Sequence, residues 1–184
     1  MNNLRVRRFN AGTDTLKPFD CGNADLNGFL VESDPSVPNA TQYDAELMAV
    51  TYVLEDRDSN AVLAYFSLLN DKIDRDISDR NVWNHLSRII PNAKRRRSYP
   101  AVKIGRLAVS SLMKSKGLGT FILYFIKEWF LERSQTGCRF ITVDALKEAL
   151  PFYQKNHFVI LENRRANDSD TILMYFDLMT LKRA

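Results

Sequence analysis

The chain has 184 residues, about one domain's worth, and 45% of them are apolar, enough for a sizeable single core. With 7 Gly, 6 Pro, 26% charged residues, 11 Phe and 7 Tyr, its composition excludes collagen-like, low-complexity and wholesale disordered chains. A net charge of +4 and a pI near 9.1 give a mild basic bias that suits an anionic ligand or nucleic acid and equally an ordinary domain.

The pattern predicts a short opening strand over residues 4–9. Asn23 is a suitable N-cap, and Leu26, Phe29 and Leu30 fall on one helical face, so a short amphipathic helix follows and fades near Ser33, Asp34 and Pro35. Residues 35–40 read as a loop. Two β-branched and aromatic runs, 46–55 and 61–69, flank Asp56-Arg57-Asp58-Ser59-Asn60, the composition of a hairpin and its turn. From 70 to 98 the pattern weakens around a helix carrying Val82, Trp83, Leu86, Ile89 and Ile90, and this stretch reads as an excursion from the core.

Residues 101–109 form the next predicted strand, and 117–133 a strong helix in which Leu118, Phe121, Ile122, Phe125, Ile126 and Trp129 keep the helical period. A strand at 140–145, a short helix through Tyr153, and strands at 158–161 and 171–177 with a polar turn between them complete the series. Strands outnumber helices and the two mix along the chain. The expected class is therefore α/β or α+β, a sheet with helices on both faces, in one domain over residues 1–184. No apolar run is longer than that at 121–126, far short of the roughly 18–20 residues that span a bilayer. The first residues, Met1-Asn2-Asn3-Leu4-Arg5-Val6, show no apolar stretch followed by small residues, so a cytoplasmic home is expected.

Cys21 and Cys138 are far apart and neither lies in a Cys-x-x-Cys pair, which argues against a disulfide framework or a zinc site. Cys138, at the mouth of an apolar strand, reads as a small buried hydrophobe rather than a nucleophile. His85 and His157 have no partners at metal-ligand spacing, and no metal is expected.

The chemistry concentrates where the strand 101–109 feeds the loop 110–116 and the helix opening at Gly117-Leu118-Gly119-Thr120. A strand running through a glycine turn into a helix N-terminus presents unpaired backbone N–H groups and the positive end of the helix dipole. Such an arrangement binds phosphate. Glycine admits the phosphate to the backbone, and Lys114 and Lys116 add positive charge. The spacing excludes Gly-x-x-x-x-Gly-Lys-Ser/Thr and Gly-x-Gly-x-x-Gly, and with them an NTPase or a dinucleotide oxidoreductase.

Arg106-Leu107-Ala108-Val109 followed by Lys114-Ser115-Lys116-Gly117-Leu118-Gly119 resembles the acetyl-coenzyme A signature of the GCN5-related N-acetyltransferases. Their loop reads Gln or Arg, two free positions, Gly, one free position, Gly or Ala; Lys114 stands at the first position here. Downstream, Thr142-Val143-Asp144-Ala145 leads to Ala149-Leu150-Pro151-Phe152-Tyr153 and Asn156-His157-Phe158, which resembles the family's second cofactor segment, with His157 where its turn usually has Gly. Upstream, Phe19-Asp20-Cys21-Gly22-Asn23-Ala24-Asp25-Leu26 resembles the opening of one branch, the toxin components of toxin–antitoxin pairs.

The resemblance implies a mixed, mostly antiparallel central sheet with helices on both faces, and transfer of acetyl from acetyl-coenzyme A to a primary amine. In the toxin branch that amine belongs to the aminoacyl group of charged tRNA; an antitoxin partner and a homodimer also follow from the resemblance. It implies that the pyrophosphate sits on the N–H groups of Lys116, Gly117, Leu118, Gly119 and Thr120, beside Lys114, Ser115 and Phe152. The backbone of Leu107, Ala108 and Val109 would pair with the pantetheine arm like an added strand. Tyr153 takes the role of general acid toward the leaving thiolate.

No general base stands out among Glu46, Glu55, Asp144 and Glu148. The run Lys94-Arg95-Arg96-Arg97, with Arg5, Arg7, Arg8, Arg164 and Arg165, offers a track for an RNA backbone; steering of the anionic cofactor or a solvated loop are the other accounts. The other functional readings left open are acetylation of a small amine or a protein N-terminus, and an acetyl-coenzyme A binding module without turnover.

Overall fold

The computed structural model describes residues 3–10, 19–31, 36–76, 78–91, 96–132, 136–161 and 170–182. Its strands are β1 (Leu4–Arg8), β2 (Val50–Asp56), β3 (Val62–Asp74), β4 (Ser98–Val109), β5 (Phe140–Leu146), β6 (Val159–Ile160) and β7 (Thr171–Asp177), hydrogen-bonded in the order β1-β2-β3-β4-β5-β7-β6. β1 with β2, β2 with β3, β5 with β7 and β6 with β7 pair antiparallel. The helices are α1 (Ala24–Val31), α2 (Ala40–Ala45), α3 (Arg80–Ile89), α4 (Leu118–Glu132), α5 (Leu150–Lys155) and α6 (Met179–Lys182). This is the mixed sheet with helices that the sequence predicts. Packing divides the chain into two units, Met1–Leu69 with Ile104–Leu123, and Asn70–Lys103 with Tyr124–Ala184.

In the first unit α1 begins where the sequence places it, because the Asn23 side-chain oxygen accepts the Leu26 N–H at 3.1 Å. The helix packs its Phe29 and Leu30 among Phe19, Val53, Tyr65 and Ala108. The Tyr65 hydroxyl, inside that cluster, donates to the Leu26 carbonyl at 2.7 Å and ties the helix to β3. α2 has no counterpart in the sequence reading: it buries only Ala40 and so leaves no periodic apolar face to detect. It also delays β2, expected from residue 46, to Val50, since the Glu46 N–H still caps the helix through the Gln42 carbonyl.

β1 is held to β2 by a buried carboxylate. Glu55 accepts from Arg5 at 2.8 Å and from Arg7 Nε at 3.0 Å. Burial alone would raise its pKa, but the hydrogen bonds from Arg7 and Arg5 outweigh that and hold it below the usual carboxylate value. Four residues before it, the Thr51 hydroxyl is buried without a hydrogen-bond partner among the described residues. Thr51→Val keeps the shape and removes the orphaned oxygen, so denaturant unfolding is expected to show about 1 kcal/mol of added stability.

In the second unit β5 lies against β7 with Phe140 opposite Asp177 and Leu146 opposite Thr171. Within the stretch 70–98, read from sequence as an excursion, β3 runs on to Asp74 and α3 carries Trp83 and Leu86 into a buried cluster with Ile73, Tyr99, Phe140 and Tyr175. Trp83 stacks on Tyr99 with ring centroids 4.9 Å apart. The polar residues Asn70, Asp71 and Lys72 obscure this continuation in the sequence, because only Ile73 among them is buried. No described helix is long and apolar enough to cross a membrane.

Candidate active site

The glycine turn belongs to the first unit. β4 ends at Val109, with Ala108 buried in the Phe29 and Tyr65 cluster, and the Ser110 N–H donates to the Leu63 carbonyl at 2.8 Å. A 3-10 turn over Ser111–Met113 then leads into Lys114, Ser115, Lys116 and Gly117, all exposed. Ser115 and Gly117 take left-handed φ values of 63° and 79°. A Cβ built on Gly117 meets no atom within 4 Å, so the space over the turn is open and is kept open by the missing side chain.

α4 opens its ladder with the Phe121 N–H to the Gly117 carbonyl at 3.0 Å. The N–H groups of Leu118 and Gly119 therefore precede the ladder at the positive end of the helix. Lys116, expected to contribute its N–H as well, turns it toward the Met113 carbonyl at 3.4 Å, a bond too long to be strong. These features fit a pyrophosphate: an open glycine turn, donors at a helix start and two exposed lysines beside it.

Lys114 has a partner that the sequence left without a role. Its Nζ lies 3.3 Å from where a Gly22 Cβ would be, and the Ser111 N–H donates to the Asp20 carbonyl at 2.8 Å. The Asp20 carboxylate accepts the Gly22 N–H and the Asn27 amide, each at 2.8 Å; these bonds, and then the Lys114 charge, hold it below the usual carboxylate range. The Phe19-Asp20-Cys21-Gly22 segment thus buttresses the glycine turn. Gly22 has a φ of 76°, which explains the residue type. Next along the chain, Arg106 lies over the Phe29 ring at 5.1 Å, with its Nε 3.6 Å from Asp25.

Phe152 and Tyr153 belong to the second unit, on α5. Tyr153 is buried, edge-on to Phe152 at 5.1 Å and to Phe158 at 5.4 Å. Its hydroxyl has no hydrogen-bond partner among the described residues, and burial pushes the phenol up to about 12. The proton is therefore retained at neutral pH and committed to no neighbour. α5 ends in a turn where His157 takes a φ of 65°, the backbone conformation that favours glycine at this position.

Two base candidates are already engaged: Glu55 by Arg5 and Arg7, and Asp144 by an ion pair with Lys103. In the basic track, Arg96 and Arg97 are exposed, while Lys94, Arg95, Arg164 and Arg165 lie outside the described residues. Arg5 and Arg7 share the single carboxylate of Glu55, and Arg8 pairs with Asp44 at 2.6 Å. The two cysteines are free thiols; burial raises the Cys138 thiol to about 11, which suits a packing residue.

The family model described as the acetyltransferase (GNAT) family matches residues 31–158. Streptothricin acetyltransferase A of Bacillus subtilis (strain 168) is 32% identical over 125 residues, 68% of this chain. The chain spans 61% of that protein's length. Among solved structures, a mutant of KacT superposes with a TM-score of 0.74 at 21% identity, covering 98% of both chains. AtaT complexed with acetyl-methionyl-tRNAfMet superposes with a TM-score of 0.71 at 20% identity, again over 98% of both. At such identities these two likenesses show a common fold. The family match takes in β4, the glycine turn, α4 and the helix bearing Tyr153, and the chain belongs to the acetyltransferase (GNAT) family.

Proposed function

We propose that the protein transfers acetyl from acetyl-coenzyme A to the free amine of the aminoacyl group on charged tRNA. The observation that carries the transfer chemistry is Tyr153: a buried phenol whose proton no described neighbour takes up. Bound acetyl-coenzyme A supplies an acetyl thioester. Leu118 and Gly119 bind its pyrophosphate through backbone N–H groups, with Lys114 and Lys116 beside them, and the backbone of Leu107, Ala108 and Val109 aligns the pantetheine arm. The acceptor amine forms the new C–N bond as the C–S bond breaks; Tyr153 gives its proton to the departing sulfur and is reprotonated by the proton the amine releases. An aminoacyl amine is less basic than a lysine, so water can take its proton and the reaction does not require a dedicated base. Charged tRNA and acetyl-coenzyme A as substrates support a cytoplasmic location, and likeness to AtaT, a mutant of which is solved bound to the C-terminus of the antitoxin AtaR, supports a protein antitoxin as partner.

The acceptor is tested by moving labelled acetyl onto bulk charged tRNA. Replacing Lys94, Arg95, Arg96 and Arg97 together by Gln is expected to lower labelling at least about tenfold and to flatten its dependence on salt, because four phosphate-directed charges are removed. Cofactor binding is expected to be unchanged. The name of the streptothricin acetyltransferase supports a second acceptor class, a small amine. That reading takes over if bound acetyl-coenzyme A yields no labelled tRNA while a small amine is acetylated equally by both proteins.

A further inference from the structure

The second unit holds a cavity of about 570 Å³ lined by residues to which the acetyl transfer assigns no role. Its walls include Leu86 of α3, Val159 of β6, Phe176 of β7 and Leu181 of α6, with His85 and His157 at an exposed rim. Among the described residues one cation lines it, Lys127 of α4, whose residue is only 6% exposed.

Lys127 is tied down without being neutralised. Its Nζ donates to the Asn156 carbonyl at 2.8 Å and sits 3.7 Å from the centre of the Phe176 ring and 5.3 Å from that of Phe158. One hydrogen bond uses one of the ammonium's three donors. Among the described residues no carboxylate pairs with it. The acid that shares the cavity, Asp177, is held bidentately by Arg139 at 2.9 and 3.0 Å. A buried ammonium facing apolar walls, with donors to spare and no counter-charge, complements a ligand that brings an anionic head and an apolar body. A single compact cation suits a carboxylate better than a multiply charged phosphate, which would demand several donors.

We propose that this cavity binds a small apolar monocarboxylate, its head on the Lys127 ammonium and its body against Leu86, Val159 and Phe176. Its lining residues are not those of the glycine turn, and it does not depend on the acceptor assigned above.

Octanoate and its neutral counterpart octanamide serve as probes, titrated by calorimetry into protein saturated with acetyl-coenzyme A so that the glycine turn is occupied. Octanoate is expected to bind one to one and at least about tenfold more tightly than octanamide, the gain from a charge-assisted hydrogen bond. Lys127→Met should erase this preference while keeping the fold, with an unchanged or higher Tm because a desolvated charge has gone. A second variant, Thr180→Trp at the exposed rim, should weaken both probes without touching the lysine.

Burial brings Lys127 down to about 8, so octanoate affinity should fall as the pH is raised from 7 to 9.5 while octanamide affinity stays level. The other titratable groups on the cavity are His85, His157, Tyr175 and the Arg139-paired Asp177. His85→Gln and His157→Gln are expected to leave that pH response in place; Tyr175 is itself pushed upward by burial and by Asp177. Equal binding of the two probes, octanoate binding that survives in Lys127→Met, or no octanoate binding at millimolar concentration would overturn the proposal.

Discussion

Tyr153→Phe is expected to lower kcat for acetyl transfer by about 10²–10⁴-fold while leaving the KM for acetyl-coenzyme A near its parent value. The substitution removes one oxygen and leaves the ring on Phe152 and Phe158, and that oxygen has no hydrogen-bond partner among the described residues, so stability should not fall. Circular dichroism on the same samples separates lost chemistry from lost fold. The pH behaviour offers a second readout. Burial raises the folded phenol to about 12 from an ordinary 10, so between those values the folded chain keeps a proton that the unfolded chain has released. Its contribution to stability is therefore full below pH 10 and drains away as the pH climbs toward 12. Tyr153→Phe should lose less stability than its parent over that window. A variant retaining more than a third of the parent kcat would remove Tyr153 from the reaction and leave it a packing aromatic.

Gly117→Val is expected to raise the KM for acetyl-coenzyme A at least about tenfold and to cost about 1–2 kcal/mol of stability, because a β-branched residue is forced to a φ of 79°. The two effects have separate origins. Backbone strain at the left-handed position acts on stability, whereas side-chain bulk in the open space over the turn acts on the pyrophosphate. Gly117→Ala keeps much of the strain with less bulk, so its KM should rise less for a comparable loss of stability. Gly137→Val makes a control: space around it is also open, its φ is not in the left-handed range, and both quantities should stay close to the parent. Should Gly117→Val bind acetyl-coenzyme A as tightly as Gly137→Val, the cofactor's phosphates must lie elsewhere.

Most strands and the long helix were legible because their apolar residues repeat with a clear period. β7 matches its predicted bounds, and α1 and α4 begin within a residue of theirs. α2 and α6 were not legible, being short helices with little or no buried face. The core role of α3 was hidden for a different reason: Trp83 and Leu86 stand out only once Tyr99 and Tyr175, distant in the chain, are known to meet them. At the site, the glycine turn was readable from residue types at fixed spacing. The support that Asp20 and Gly22 give to Lys114 was not, since it depends on two loops some ninety positions apart approaching each other. The ion pairs of Arg5 and Arg7 with Glu55, and of Arg8 with Asp44, were likewise not legible, because they join residues some 36 to 50 positions apart.

The order in which β5, β7 and β6 lie has a consequence during synthesis. β6 pairs with β7, and β7 in turn with β5, so the strand made last of the three fills the place between the two made earlier. Until Thr171–Asp177 has left the ribosome, β5 presents the open edge that β7 will cover, and Val159 and Ile160 have no strand to join. A nascent chain halted in that interval exposes apolar strand edge to other chains. Released fragments ending before residue 170 should accordingly aggregate or recruit chaperones, and released fragments that include all of β7 should not.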